Sequence, residues 1–114
     1  MPKYLCIRRN QPPQPGKSEK PSPAQMEEMY AKFNAWKAKF QQNIADMGGK
    51  LKGGGKVLTS EGATDGPFLE AKEVVGGFMI LAAKNVEEAM EVARHCPGAV
   101  MPGGSLEIRE ISTP

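Results

Sequence analysis

The chain has 114 residues, of which 39% are hydrophobic and 25% are charged, and its 15 basic and 13 acidic residues give a net charge of +2. Length and charge predict one globular domain over residues 1–114 and argue against a nucleic-acid surface, which needs a strongly basic patch. The longest apolar run, 78–83, is far shorter than the roughly 20 residues of a membrane span. Two cysteines are too few for a disulfide scaffold, so we expect a cytoplasmic protein with reduced thiols and without membrane contact.

The first predicted element is a β-strand over 3–9, because apolar and polar residues alternate there. We expect Leu5 and Ile7 to face the helices, and Tyr4 and Arg8 to face the opposite side of the sheet. The segment 10–22 contains too many prolines for a helix or a central strand. It predicts a solvated loop, with a lid over a site as the alternative.

A long helix is predicted next. Ser22 is its expected N-cap, Pro23 its first residue and Gln25 the partner in a capping box. Apolar residues then recur at helical spacing as far as Gly48-Gly49, where we expect the helix to end. Trp36 falls at the edge of this apolar stripe, so we expect it at the rim of the core. The stripe comprises Met26, Met29, Tyr30, Phe33, Trp36, Phe40, Ile44 and Met47.

The second half of the chain predicts two more strands and one more helix after a weaker strand around Val57-Leu58. The run 78–83 is a strand that is apolar on both faces, and 105–111 is a final strand with Leu106 and Ile108 toward the helices. Between them lies a helix with Asn85 as its N-cap and Glu88 as its capping-box partner. Its expected inward face comprises Val86, Ala89, Met90 and Ala93.

The order strand, helix, strand, strand, helix, strand predicts an α+β fold, a ferredoxin-like antiparallel sheet with both helices on one face. The first and third strands are central in that topology. Because the third strand is apolar on both faces, a monomer would expose an apolar patch on the face without helices. We therefore expect a homodimer in which two sheets pack face to face.

Several segments resemble the YCII-related family in its DGPF-domain branch. They include Asp65-Gly66-Pro67-Phe68, Lys72-Glu73, Gly76-Gly77-Phe78, 88–97 and 106–109. The resemblance implies a ferredoxin-like fold that dimerises into an α/β barrel, and a family of mostly unassigned activity. A His–Asp pair in some members implies an enzyme, and an association with sigma-factor genes implies a regulatory context. Asp65 corresponds to the acidic residue, but this chain has no histidine in its first half.

Asp65 is the candidate catalytic residue, as a general base or as an anchor for a cationic ligand. The alternative is an Asx-turn, in which its carboxylate accepts hydrogen bonds from nearby backbone N–H groups. Lys72 lies in a charged cluster with Glu70 and Glu73. It could face a substrate, although a solvated loop or contacts at a dimer rim also explain such a cluster.

The candidate ligand-binding residues are Tyr4, Arg8, Lys72 and Arg109. If the first and last strands are neighbours, Tyr4, Arg8 and Arg109 line a cavity between the sheet and its dimer mate. Guanidinium groups there would suit a carboxylate or a phosphate. The alternative is a cross-strand ion pair of Glu107 with Arg8 or Arg109.

Other reactive side chains predict structural roles. His95 is expected to face water with Glu91 as its partner, and Cys6 and Cys96 are expected to be small buried residues. No compact set of ligands predicts a metal, and no motif predicts a phosphate loop or a cofactor. The sequence thus favours a dimeric small-molecule-binding protein or enzyme, with a pocket between the open sheet face and the loop 65–73. The alternative is a non-catalytic dimer that acts through a regulatory protein partner.

Overall fold

A four-stranded antiparallel sheet and two helices form the body of the molecule. The computed structural model describes residues 1–10, 22–65, 74–100 and 103–112. In chain order, the elements are β1 (Lys3–Asn10), α1 (Pro23–Lys39), β2 (Ile44–Lys50), β3 (Lys56–Thr59), β4 (Gly62–Asp65), β5 (Val74–Ala82), α2 (Val86–Arg94) and β6 (Ser105–Glu110). A short 3-10 turn, Gln41–Asn43, joins α1 to β2.

The strand order in the main sheet is β2-β5-β1-β6, with every neighbouring pair antiparallel. Strands β1 and β5 are therefore central, as the sequence predicted for its first and third main strands. Strands β3 and β4 form a separate two-stranded hairpin. This open, mixed α+β arrangement is consistent with a ferredoxin-like fold. Neither helix in the described part of the chain has the length and apolar character needed to cross a bilayer.

Helix α1 is shorter than the sequence predicted. The capping box of Ser22 and Gln25 is present, but the helix ends at Lys39, and Ile44 and Met47 belong to strand β2. Three residues apart, these two would face opposite sides of a regular strand, yet both pack against the core. Irregular pairing of β2 with β5 allows this, because the register shifts twice between Ile44 and Gly49. A spacing that suits a helix is therefore also satisfied by a bulged strand.

The apolar stripe of α1 is covered only near its C-terminal end. Trp36 is buried, and its Nε1 donates a hydrogen bond of 2.9 Å to the carbonyl oxygen of Val92 in α2. The prediction that Trp36 lies at the core rim is therefore wrong. Met26, Met29 and Tyr30, toward the helix N-terminus, are 41%, 54% and 61% exposed. We call these three residues the exposed α1 patch.

Helix α2 begins at the expected cap, since the side chain of Asn85 accepts a hydrogen bond from the backbone N–H of Glu88. The carboxylate of Glu88 accepts a hydrogen bond from Asn43 Nδ2 instead of completing a capping box. The same Asn43 amide donates to the carbonyl oxygen of Ala82, so one side chain links the end of β5 to α2. The buried residues of the helix are Ala89, Val92 and Ala93, whereas Val86 and Met90 are exposed.

Strand β1 presents the opposite face from the one predicted. Cys6 is fully buried in the core cluster with Trp36, while Leu5 and Ile7 lie on the sheet face without helices. Cys6 pairs with Met79 on β5 and with Ile108 on β6, which fixes this face of all three strands toward the helices. Both sides of β1 are apolar enough to be buried, so alternation alone does not decide which side faces the helices. As predicted, Leu106 and Ile108 pack on the helix side.

Candidate functional site

An open cavity of about 300 Å³ lies on the helix face of the sheet, beside the turn that follows α2. Its floor comes from the central strands and its walls from α1 and that turn. Arg8 is on the floor, and we call this space the Arg8 cavity. Its apolar lining includes Cys6, Phe33, Met47, Met79, Cys96 and Leu106.

Arg8 is the one half-buried charged side chain among the described lining residues. Its Nη2 contacts the carbonyl oxygen of Gly76 at 3.4 Å, which is longer than a strong hydrogen bond. That oxygen already accepts a 2.9 Å hydrogen bond from the backbone N–H of Leu51. Arg8 Nε is buried and has no hydrogen-bond partner among the described residues. A buried charged donor without an acceptor is unfavourable, so the site is suited to an added acceptor.

A β-bulge at Gly76 makes room for this guanidinium. Arg8 pairs with Gly77 and Arg9 with Val75, so Gly76 is the extra residue on β5. A Cβ atom at position 77 would lie 3.3 Å from Arg8 Nη2 and 2.9 Å from the carbonyl oxygen of Gly49. A Cβ atom at position 76 would lie 2.2 Å from Asn10 Nδ2. Gly77 is therefore required by the close approach of the Gly49 backbone, whereas at Gly76 the close contact is with the end of the Asn10 side chain, which can move.

The cavity has a positive charge. Lys50 joins Arg8 in its lining, and no carboxylate does so in the part of the chain that the structure describes. Burial, with a smaller contribution from the nearby Cys96, raises the pKa of Cys6 to about 11. Burial also raises the pKa of Cys96, against a smaller opposite effect of Arg8. Both thiols are therefore neutral near pH 7 and provide apolar lining, as expected for small buried residues.

Asp65 lies away from this cavity. It is the last residue of β4, and its side chain forms an ion pair with Lys56, the residue that pairs with it across the hairpin. The carboxylate-bearing side chain is 88% exposed. The Asp65 site role stays a prediction, since the residues that follow it, 66–73, lie outside the described residues. That segment includes Lys72, and residues 11–21 of the predicted loop or lid 10–22 lie outside them as well.

Tyr4, Arg8 and Arg109 are not brought together. Tyr4 is buried on the helix face in a second cluster with Ala83 and Ala89, and its hydroxyl donates a 3.1 Å hydrogen bond to Glu110. Burial, this hydrogen bond and the negative charges of Glu110 and Glu87 raise the pKa of Tyr4. The side chain of Arg109 is exposed, and its strand position pairs with Leu5, on the open face.

The predicted ion pair of Glu107 with Arg8 or Arg109 is wrong, because Glu107 Oε1 lies 3.4 Å from Arg9 Nε. This difference arises because β1 turns toward the helices the face opposite to the one predicted. Arg9 is placed on the same face as Glu107, while Arg8 turns toward the helices. Of the three predicted ligand-binding residues that the structure describes, Tyr4, Arg8 and Arg109, only Arg8 lines the cavity.

His95 has the surface position that the sequence predicted. It is exposed, and its Nδ1 lies 2.8 Å from the carbonyl oxygen of Glu91 and 3.5 Å from a carboxylate oxygen of the same residue. Within the described ranges, no group of three or more His, Cys, Asp or Glu side chains could hold a metal ion.

Sequence reasoning missed the contribution of Met47, Met79 and the two cysteines to one cavity. The sequence predicts Met47 on a helix, and it predicts the side of the first strand with Tyr4 and Arg8, which Cys6 shares, on the face away from the helices, so the proximity of these residues was hidden. One signal was available, since Gly76-Gly77 falls on a central strand next to the strand that carries Arg8. Adjacent glycines inside a strand indicate a bulge or a close approach of another group.

One family model matches almost the whole chain. Its description is YCII-related domain, and the match covers residues 3–113. A search of curated proteins found no match.

Proposed function

The chain belongs to the YCII-related domain family, and from this premise we propose that it is a small-molecule-binding protein whose ligand is a small anion held in the Arg8 cavity. The observation that supports this most strongly is the buried Nε of Arg8, which has no acceptor among the described residues. A ligand oxygen would provide one. Asp65 as a base in a reaction on that ligand is a separate prediction.

The positive lining of the cavity supports the sign of the ligand. Arg8 and Lys50 contribute two cationic groups, while the other described lining residues carry no charge. In a partly buried site, a cation attracts an anion more strongly than it does in bulk water, because the effective dielectric constant is lower. A neutral acceptor can also bond to Arg8 Nε, but it would leave the charges of Arg8 and Lys50 without a counter-charge.

The test compares two arginine variants in a thermal-shift and calorimetric screen of small anions. Arg8→Gln removes the charge in the cavity, whereas Arg109→Gln removes an exposed charge on the other face of the sheet. We expect at least one anion to raise the melting temperature of the wild type and of Arg109→Gln, but not of Arg8→Gln. Equal responses of all three proteins, or no response in the wild type, would refute the proposal.

We also propose a homodimer that packs through the open sheet face. Leu5, Ile7 and Ile80 lie on this face and are only half-buried, and Phe78 is 39% exposed. The described helices cover the other face. A second copy of the chain would remove this apolar area from water.

A regulatory protein partner is the alternative function. The exposed α1 patch supports this alternative, since Met26, Met29 and Tyr30 form an exposed apolar surface on one helix. Complementation in cells from which the gene has been deleted would separate the alternatives. Rescue by Arg8→Gln but not by Met29→Glu favours a protein partner, and the reverse result favours the anion site.

Two narrower assignments belong to this proposal. Membership of the DGPF branch is supported by the run Asp65-Gly66-Pro67-Phe68, and alignment with members of each branch would test it. A cytoplasmic location is supported by two cysteines that are both unpaired. Fractionation of cells that express the protein would test the location.

A further inference from the structure

The guanidinium of Arg8 suits a planar acceptor. Nε and Nη2 lie on the same edge of this group, where two parallel N–H donors match the two oxygens of a carboxylate. Nε has no acceptor among the described residues, and the contact of Nη2 with Gly76 is 3.4 Å long. This edge lies against the Gly76 bulge, where Nε has no acceptor and Nη2 has only a long contact, so the guanidinium as a whole is poorly satisfied.

The rest of the lining suits an apolar body. Phe33, Met47, Met79 and Leu106 contact the core and contribute no charged group to the cavity. Sugar hydroxyls buried against these side chains would lose their hydrogen bonds to water, which is unfavourable. A phosphate would bring a charge of about −1.5 to −2 and three acceptor oxygens. Arg8 is the only half-buried cation that the described lining offers to it.

The volume limits the size of that body. The cavity has a volume of about 300 Å³. One water molecule, with its single non-hydrogen atom, takes up about 30 Å³ in the liquid, so the cavity has room for roughly ten non-hydrogen atoms. Ligands of that size include aromatic acids and medium-chain aliphatic acids.

We infer that the ligand is a monocarboxylic acid with an apolar body, bound with its carboxylate at the guanidinium of Arg8 and its body against Met47 and Met79. This inference rests on the proposed anion site and specifies its ligand class. Lys50 is exposed at the cavity, so it contributes a weaker, screened attraction.

Four probes separate the contributions of head group and body. Benzoate carries both expected features, benzamide lacks the charge, acetate lacks the body, and phenyl phosphate replaces the planar head by a tetrahedral one. Titration calorimetry on the full chain should show benzoate binding at least about tenfold more tightly than each of the other three. Hexanoate provides an aliphatic body for the same comparison.

Two substitutions of Arg8 test the role of its guanidinium group. Arg8→Gln should weaken benzoate binding about tenfold or more, and Arg8→Lys should keep the charge while losing the preference for benzoate over phenyl phosphate. Arg94→Gln, which removes an exposed cation of α2 outside the cavity lining, is the matched control, and we expect no more than a two- to threefold effect. Circular dichroism of each variant checks that the fold is retained.

Alkylation of Cys96 gives a second, independent measurement. Cys96 lines the cavity and is partly exposed, whereas Cys6 is fully buried. Benzoate should slow the reaction of Cys96 with iodoacetamide in the wild type, as followed by mass spectrometry. It should give no protection in Arg8→Gln, because the ligand no longer occupies the cavity.

The possible failures are distinguishable. Tighter binding of phenyl phosphate than of benzoate, still dependent on Arg8, overturns the carboxylate inference and leaves the anion site in place. No binding of either benzoate or hexanoate also overturns the inference, and the broader anion screen then decides the proposed function. Equal binding of benzoate and benzamide in both wild type and Arg8→Gln overturns both proposals.

Discussion

Arg8 lines the cavity, and its unsatisfied guanidinium lowers the stability of the folded protein in the absence of a ligand. Its Nε is buried without a partner in the described structure, while its aliphatic stem lies along the sheet beside Cys6 and Leu106. Removal of an unsatisfied buried charge, with the packing of the stem kept, is often neutral or stabilising. Residues that serve a ligand often carry such a disadvantage when the ligand is absent.

We therefore predict that Arg8→Met leaves the free energy of unfolding unchanged or raises it by about 1 kcal/mol in the absence of ligand. Urea denaturation measures this quantity. Arg9→Met is the matched control, because it removes an exposed ion pair with Glu107 and should change stability by less than about 0.5 kcal/mol. A loss of more than 1 kcal/mol in Arg8→Met would show that the guanidinium has a stabilising partner.

Cys6 predicts a loss of stability at alkaline pH. Its pKa is about 11 in the folded protein against an ordinary value of 9.0, so the unfolded chain releases this proton first as the pH rises. Between pH 9 and 11 the unfolded state thus binds fewer protons, and the free energy of unfolding falls by about 2 kcal/mol in total. Below pH 9 this contribution is fully present.

Denaturation of the wild type and of Cys6→Ala over this pH range checks the prediction. The raised pKa values of Tyr4 and Cys96 act in the same direction in both proteins, so the difference between the two curves isolates Cys6. The curves should converge as the pH rises from 9 to 11. Parallel curves would mean that Cys6 ionises equally easily in the folded and unfolded states.

At the scale of the element, strand β2 depends on Gly48. This residue has φ of 62°, which side chains disfavour, and a Cβ atom there would lie 1.9 Å from the backbone oxygen of Phe78. Its neighbour Gly49 has nothing within 4 Å of the corresponding position. Of these two adjacent glycines, only Gly48 is required by its backbone angle and its close packing.

Gly48→Ala should lower the free energy of unfolding by more than about 2 kcal/mol, because it combines backbone strain with a steric clash. Gly49→Ala is the matched control and should change it by less than about 0.5 kcal/mol. Thermal or urea denaturation of the two variants gives the comparison. Similar stabilities would mean that β2 can shift away from β5 at little cost.

The hairpin of β3 and β4 should tolerate the loss of its ion pair. Asp65 and Lys56 are both highly exposed, and such pairs contribute about 0–1 kcal/mol. Asp65→Asn should therefore lower the free energy of unfolding by less than 1 kcal/mol and leave the dimer intact, with Lys56→Gln as the control. A dimer weakened by Asp65→Asn alone would support the non-catalytic role instead, whereas lost ligand binding would support a site role.

The elements that sequence reasoning placed correctly have local signals. Ser22 with Gln25 and Asn85 with the N–H of Glu88 are hydrogen-bonded pairs within one turn, so the sequence specifies both helix starts. The end of α1 has no such signal. Ile44 and Met47 continue the helical spacing, and only the pairing of β2 with β5 assigns them to a strand.

At the scale of the whole molecule, the dimer can be tested by placing a charge on the open face. Leu5→Glu should convert a dimer into a monomer, because a carboxylate would be buried between the two sheets. Leu58→Glu, on the hairpin at 82% exposure, is the matched control and should leave the oligomeric state unchanged. Analytical ultracentrifugation measures both, and a wild type that is monomeric would refute the dimer.

Global features were predictable where the chain order determines them. The succession of elements gave an antiparallel sheet with two central strands and both helices on one face. The site was less predictable, because β1 can bury either Leu5 and Ile7 or Tyr4 and Cys6. That choice depends on contacts of Cys6 with residues far along the chain, and it decides which arginine enters the cavity.

The bulge at Gly76 has a consequence for how this chain tolerates changes in length. One unpaired residue inverts the odd–even parity of β5, so the strand before Gly76 and the strand after it alternate independently. Deletion of Gly76 would restore regular pairing, with Val75 still opposite Arg9 and with Met79 and Leu81 in place, and it would remove the carbonyl oxygen that Arg8 Nη2 contacts. Homologous chains could therefore gain or lose this one residue without shifting the strand pairing on either side of it.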